Sequence, residues 1–184
     1  MLRWDMLKEA LFDKLPIAGA EIGVQTGKML AEVLYWLPSI EKYYAIDPYV
    51  FYDDFEKACL EIPKEHRTKI GRDQKSMDNT YKAFLQKIKD QGIEDRVRVL
   101  KMFSSEAAAF IDDGSLDFCF IDGNHLYEYV LRDIEMYLPK IKKGGLIAGH
   151  DYGMEGTGVK RAVNDFFNKD EVAVHQDWTW SVWV

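Results

Sequence analysis

The 184 residues are 47% hydrophobic and 30% charged, a balance that excludes a disordered chain and suits one domain with a substantial core. The net charge of −7 and a pI near 5.1 argue against a nucleic-acid partner, because phosphate binding rests on clustered Lys and Arg. No apolar run approaches the length of a bilayer span, so no membrane partner is expected.

The first sixteen residues, MLRWDMLKEALFDKLP, interleave charge with apolar residues and lack the unbroken core of a signal peptide. Trp4, Leu7, Leu11 and Leu15 recur at helical spacing. Residues 20–24 form a first strand ending in a turn, 28–37 a helix, and 43–47 a second strand stopped by Pro48. The stretch 49–77 is rich in charge and aromatics, with Pro63 and Gly71 as breakers. It reads either as an acceptor-binding insertion or lid, or as a solvated connection.

A helix over 79–89, an alternating strand over 96–102 and a short helix over 106–111 follow. Residues 117–121 (DFCFI) are a continuously apolar strand of the kind buried on both faces. A helix over 127–138, a strand over 145–148 and a helix over 159–167 continue the alternation. The last two strands, 172–174 and 179–184, are too close in sequence for a crossover helix and must pair antiparallel. The fold expected is a Rossmann-like α/β sheet of seven strands, mostly parallel, with a C-terminal antiparallel hairpin and helices on both faces. No linker or repeat divides the chain, so residues 1–184 read as one domain. Cys59 and Cys119 lack metal-motif spacing, and Cys119 reads as a small buried hydrophobe. A reducing cytoplasmic setting follows as the simplest expectation.

Glu21-Ile22-Gly23-Val24-Gln25-Thr26-Gly27 is a strand running into a glycine-containing turn before a helix. Glycine there permits unusual backbone angles and close approach of a ligand. Asp47 ends the next strand, about 20 residues on, where a carboxylate holds the ribose hydroxyls of a nucleoside cofactor; alternatively it forms the turn before Pro48. The stretch departs from the dinucleotide pattern G-x-G-x-x-G. It has no third glycine, and Glu21 would repel a pyrophosphate while tolerating a cationic methionyl group.

On Glu21 to Gly27, together with Phe120-Ile121-Asp122-Gly123-Asn124-His125, the turn Lys142-Lys143-Gly144-Gly145, His150-Asp151-Tyr152 and the terminal hairpin, the chain resembles the class I S-adenosylmethionine-dependent methyltransferases. The subgroup it is most similar to is that of the small-molecule O-methyltransferases. The resemblance implies a cofactor site made by Glu21, Gly23, Gln25, Gly27, Asp47 and Asp122, with Ser104 or Ser105 beside adenine. The serines read equally as an N-cap for the helix near Glu106. It further implies that Asp122 and Asp151, with His150 beside them, hold a divalent metal such as Mg2+ or Mn2+, although His150 stands where the commonest pattern has an acid.

His125, three residues past Asp122, is the candidate general base, or else a helix-start histidine bonded to its turn. Asp122 and His125 are the catalytic pair. His66 and His175 receive no role. Trp178, Trp180 and Trp183 read as strand packing, the last two on opposite faces, and Tyr152 reads as pocket wall or core. The function implied is methyl transfer from S-adenosylmethionine to a small molecule, at oxygen. A nicotinamide-dependent oxidoreductase and an inactive cofactor-binding module are the alternatives, and the N-terminal helix is where a homodimer would form.

Overall fold

The computed structural model describes residues 3–14, 17–51 and 73–184. Leu15, Cys59, His66 and most of the 49–77 stretch lie outside the described residues. In chain order the elements are α1 (Arg3–Leu11), β1 (Ile17–Ile22), α2 (Lys28–Trp36), β2 (Ile40–Ile46), α3 (Gln74–Asp90), β3 (Val97–Leu100) and α4 (Ser104–Ala107). They continue with β4 (Leu116–Ile121), α5 (Tyr127–Tyr137), β5 (Ile141–Gly149), α6 (Val159–Phe166), β6 (Ala173–Val174) and β7 (Trp180–Trp183).

One seven-stranded sheet runs β3-β2-β1-β4-β5-β7-β6. Strands β1 to β5 are parallel, β7 is antiparallel to β5, and β6 pairs antiparallel with β7. The expected fold class is therefore the observed one. The order reverses between β1 and β4, and such a switch point opens a crevice outside the carboxyl ends of the strands.

Side chains alternate across the sheet. Tyr43, Phe118, Phe120 and Leu146 pack with α1, α2 and α3 on one face. Ile22, Cys119, Ile121, Ile147 and Trp180 pack with α5 and α6 on the other. Trp180 is buried and Trp183 exposed, as their parity requires. No helix among the described residues is long and apolar enough to cross a membrane. The apolar residues of α1, Met6, Leu7 and Leu11, are buried in the core on the α2 side of the sheet.

Three boundaries differ from the sequence reading for local reasons. Helix α3 begins five residues early because Asp73 caps it, its carboxylate accepting from the Ser76 N–H at 2.8 Å. Strand β5 begins at Ile141, because Lys142-Lys143-Gly144-Gly145 is a register shift within the strand rather than a turn before it. The helix expected over 106–111 starts at Ser104 and continues as a 3-10 turn over Ala108–Phe110.

Candidate active site at the carboxyl ends of the strands

The turn after β1 is built on left-handed backbone at Gly23 (φ 89°), Gln25 (φ 49°) and Gly27 (φ 67°). Gly23 bridges neighbouring strands: its N–H donates to the Ile46 carbonyl at 2.8 Å, and its Cα lies against the backbone of Asp122 and Gly123. Asp47 ties this turn to the end of β2. Its Oδ2 accepts the Gln25 N–H and its Oδ1 the Tyr49 N–H, both at 2.9 Å. Burial raises the pKa of Asp47 while the two N–H groups oppose it. Each carboxylate oxygen retains a second lone pair. Tyr49 closes the loop from below, donating its hydroxyl to the Gln25 carbonyl at 2.7 Å and packing its ring against Tyr81 and Phe84.

Glu21 is buried at the end of β1, on the α1 side of the sheet. The Tyr43 hydroxyl donates to its Oε2 at 2.9 Å. Burial pushes its pKa up to about 8, with Asp122 and Asp47 adding to the rise and Tyr43 and Arg3 opposing it.

Ser104 stands at the end of β3 as the first residue of α4, not as its N-cap, which is Phe103. Its hydroxyl donates to Asp133 Oδ1 at 2.5 Å, and Tyr137 donates to its carbonyl at 2.9 Å. Asp133 is itself buried, and burial pushes its pKa up to about 6 against the Ser104 bond. The Ser104 side chain is thus turned into α5, while half-buried Ser105 is its neighbour on the same turn.

Strands β4 and β5 bring the second cluster together. His125 Nε2 lies 2.8 Å from Asp151 Oδ2 and 3.7 Å from Asp122 Oδ1. The Gly158 N–H holds the His125 carbonyl at 2.8 Å. Burial alone would lower the imidazole pKa; the two carboxylates outweigh it and raise it to about 10. Asp151, held with left-handed backbone (φ 63°), is displaced well below the usual carboxylate range by His125 and His150 despite its burial.

Asp122, His125 and Asp151 offer ligand atoms within 4.8 Å of one another. His150, the imidazole that the sequence pairs with Asp151, lies beside that trio, its Nδ1 2.7 Å from Asp151 Oδ1. Arg3 of α1 reaches across 119 residues of sequence to pair with Asp122 Oδ2.

Tyr152 donates to Asn164 Oδ1 on α6 at 2.8 Å and packs with the core on that face. His175 lies 2.9 Å from the Ser181 hydroxyl within the terminal hairpin. Arg3, Tyr43, Tyr49 and Asp133 are the site neighbours that sequence reasoning missed. Only Tyr43 left a trace, since it sits in the strand paired with that of Glu21.

Residues 20–152 match the family model of a methyltransferase domain. Among solved structures, the O-methyltransferase NovP is 17% identical, with a TM-score of 0.70 over 98% of this chain and 78% of that one. A methyltransferase from Geobacter sulfurreducens is 14% identical, with a TM-score of 0.60 over 98% and 76%. The precorrin 8W decarboxylase of Methanobacterium thermoautotrophicum is 12% identical, with a TM-score of 0.62 over 98% and 88%. At these identities the likeness establishes the fold, which carries more than one chemistry. No curated protein matches the chain at a significant level.

Proposed function

The chain belongs to the methyltransferase domain family, and from that premise we propose that it transfers the methyl group of S-adenosylmethionine to an oxygen of a small-molecule acceptor. The family match sets aside the nicotinamide-dependent alternative. All the described strands join one sheet, which supports reading residues 1–184 as a single domain.

The observation that carries the proposal is the junction of the glycine turn with Asp47, bonded at 2.9 Å beside the switch point. There Asp47 offers its remaining lone pairs to the ribose hydroxyls, and the turn from Gly23 through Gln25 to Gly27 lets the methionyl part approach the main chain. Glu21 and Asp122 supply negative charge toward its cationic groups. Ser105 is the polar contact left for adenine, since Ser104 is bonded to Asp133. Catalysis is chiefly alignment of the sulfonium methyl with the acceptor oxygen.

A base role for His125 needs a neutral ring. With its pKa raised to about 10 by Asp122 and Asp151, the ring is protonated at neutral pH and has no lone pair to accept a proton. A divalent cation would displace that proton, and the trio would then offer it one imidazole nitrogen and two carboxylates. His125 Nε2 is sealed from solvent, and neither carboxylate lies in line for a hydrogen bond with it. Asp122, His125 and Asp151 would hold the ion, and an imidazole among carboxylates favours Mn2+ over Mg2+. When bound, such an ion supplies Lewis acidity that makes the acceptor hydroxyl easier to deprotonate. His150 orients Asp151 from behind.

Two measurements test this reading. S-adenosylhomocysteine is expected to bind the protein in calorimetry, and Asp47→Ala to weaken that binding by about 100-fold, as loss of a bidentate charge-assisted contact predicts. Unchanged affinity in the variant removes Asp47 from the cofactor site. His125→Ala is expected to lower turnover on the true acceptor about 100-fold or more, as loss of a metal ligand predicts. A loss of only a few-fold takes His125 out of the machinery. Cofactor binding with no turnover on any acceptor would favour the inactive binding module instead.

A further inference from the structure

Helix α1 lies outside the stretch that matches the family model, yet it is fastened at both ends. Its buried residues Met6, Leu7 and Leu11 dock it beside α2 on one face of the sheet. Beyond its C-terminal end, Lys14 donates to the Gly144 carbonyl at 2.5 Å and lies over the Trp183 ring. At its N-terminal end, Arg3 pairs with Asp122 at the carboxyl end of the central strand β4. The helix is a strap laid along the strands, and its last fastening is made on a candidate metal ligand.

That fastening conflicts with the cation reading above. Asp122 turns one oxygen to Arg3 and the other toward His125. A divalent ion among Asp122, His125 and Asp151 would stand within a few ångströms of the Arg3 guanidinium, in a half-buried setting where like charges are poorly screened. Both cations satisfy the same carboxylate, and they repel each other. The Nε2 atom of His125 meanwhile stays without an in-line partner, which leaves the trio incomplete while Arg3 is docked.

We propose that Arg3 is an internal cation that competes with a divalent metal for Asp122, so that metal entry and docking of the first turn of α1 exclude each other. This rests on the reading of the trio as a metal site. The geometry makes α1 the element that answers to metal: with Arg3 displaced, its first turn loses its tie to Asp122 and the loop after β4.

The test is Mn2+ binding to the full chain, by calorimetry and by the loss of the free-ion paramagnetic signal. Wild type, Arg3→Gln, Arg3→Lys and His125→Ala are compared, after thermal melts establish that each is folded. Arg3→Gln is expected to bind Mn2+ at least ten-fold more tightly than wild type. Arg3→Lys, which keeps the charge, is expected to stay within about three-fold of it, and His125→Ala to bind more weakly.

Hydrogen exchange gives an independent readout. Mn2+ should speed exchange of the N–H groups of α1 that bond back to carbonyls of its first turn in wild type, and leave it unchanged in Arg3→Gln, where that turn is already loose. Equal, measurable Mn2+ affinity in wild type and Arg3→Gln overturns the competition and leaves the metal site standing. No Mn2+ binding by any of the four proteins overturns both, and S-adenosylhomocysteine binding then reports separately on the cofactor site.

Discussion

Gly23→Ala is expected to destabilise the protein by about 3–5 kcal/mol and to abolish cofactor binding. Two costs combine at this position. A Cβ there would lie 2.1 Å from the Asp122 carbonyl oxygen and 2.7 Å from Gly123 Cα, backbone atoms that cannot rotate away. The residue also sits at φ 89°, a conformation that L side chains adopt only under strain. To admit the methyl group, the ends of β1 and β4 must part, and with them the turn that faces Asp47 and the loop that carries Asp122. Gly92→Ala is the control. Its φ of 62° imposes the same kind of backbone strain, but nothing lies within 4 Å of the added Cβ, so only about 1 kcal/mol should be lost. For a chain of this size the first change corresponds to a fall in Tm of roughly 10–15 °C and the second to a few degrees. If the two variants melt within a degree or two of each other, the contact between β1 and β4 is not what requires glycine at position 23. If Gly23→Ala melts low but still binds S-adenosylhomocysteine with full affinity, the turn is structural only.

What the sequence discloses is local or periodic. The seven strands were legible because burial on both faces leaves runs such as DFCFI, and because the short link before β7 allows only an antiparallel return. The glycine turn, Asp47, Asp122 and Asp151 were legible because each follows a strand directly, and the ends of parallel strands share one rim. Contacts that tertiary packing makes across the sheet left no such mark. Arg3 is separated from Asp122 by 119 residues, and an arginine near the start of an amphipathic helix looks like any solvated charge. His125 lies three residues past Asp122 and His150 directly before Asp151, and proximity in sequence favoured His150; the bond from the Gly158 N–H to the His125 carbonyl, which helps fix the loop after β4, spans 33 residues. Ser104 illustrates the same limit. Its position after β3 was right, but the buried Asp133 that claims its hydroxyl lies 29 residues away on a helix whose charged positions otherwise read as surface.

Glu21→Gln is expected to make the protein more stable above neutral pH by about 2–3 kcal/mol while weakening S-adenosylmethionine binding. The carboxyl of Glu21 has its ordinary pKa of 4.5 in the unfolded chain and about 8 when folded, burial being the main cause. A group whose folded pKa is raised contributes stability that is fully present below its unfolded pKa and is lost as pH rises through its folded one. For Glu21 that loss runs from about pH 4.5 to 8. Each tenfold change in proton affinity is worth about 1.4 kcal/mol, giving a ceiling near 5 kcal/mol that relaxation and water entry reduce. Glutamine keeps the shape and an acceptor for the Tyr43 hydroxyl, and carries no charge to bury.

His125 obeys the same sign. Raised from 6.5 to about 10, its contribution is complete below pH 6.5 and fades as pH climbs through 10, in both proteins alike. The variant's advantage over wild type should therefore grow between pH 5 and 8 and stay constant beyond. Urea unfolding at pH 5, 7 and 9 reads this directly, and parallel stability curves for the two proteins would mean that Glu21 is not desolvated. If Glu21 faces a cationic methionyl group as proposed, near neutral pH that positive charge favours the ionised form that burial resists. Stability is given up where binding collects it, and the loss of cofactor affinity in Glu21→Gln measures how much.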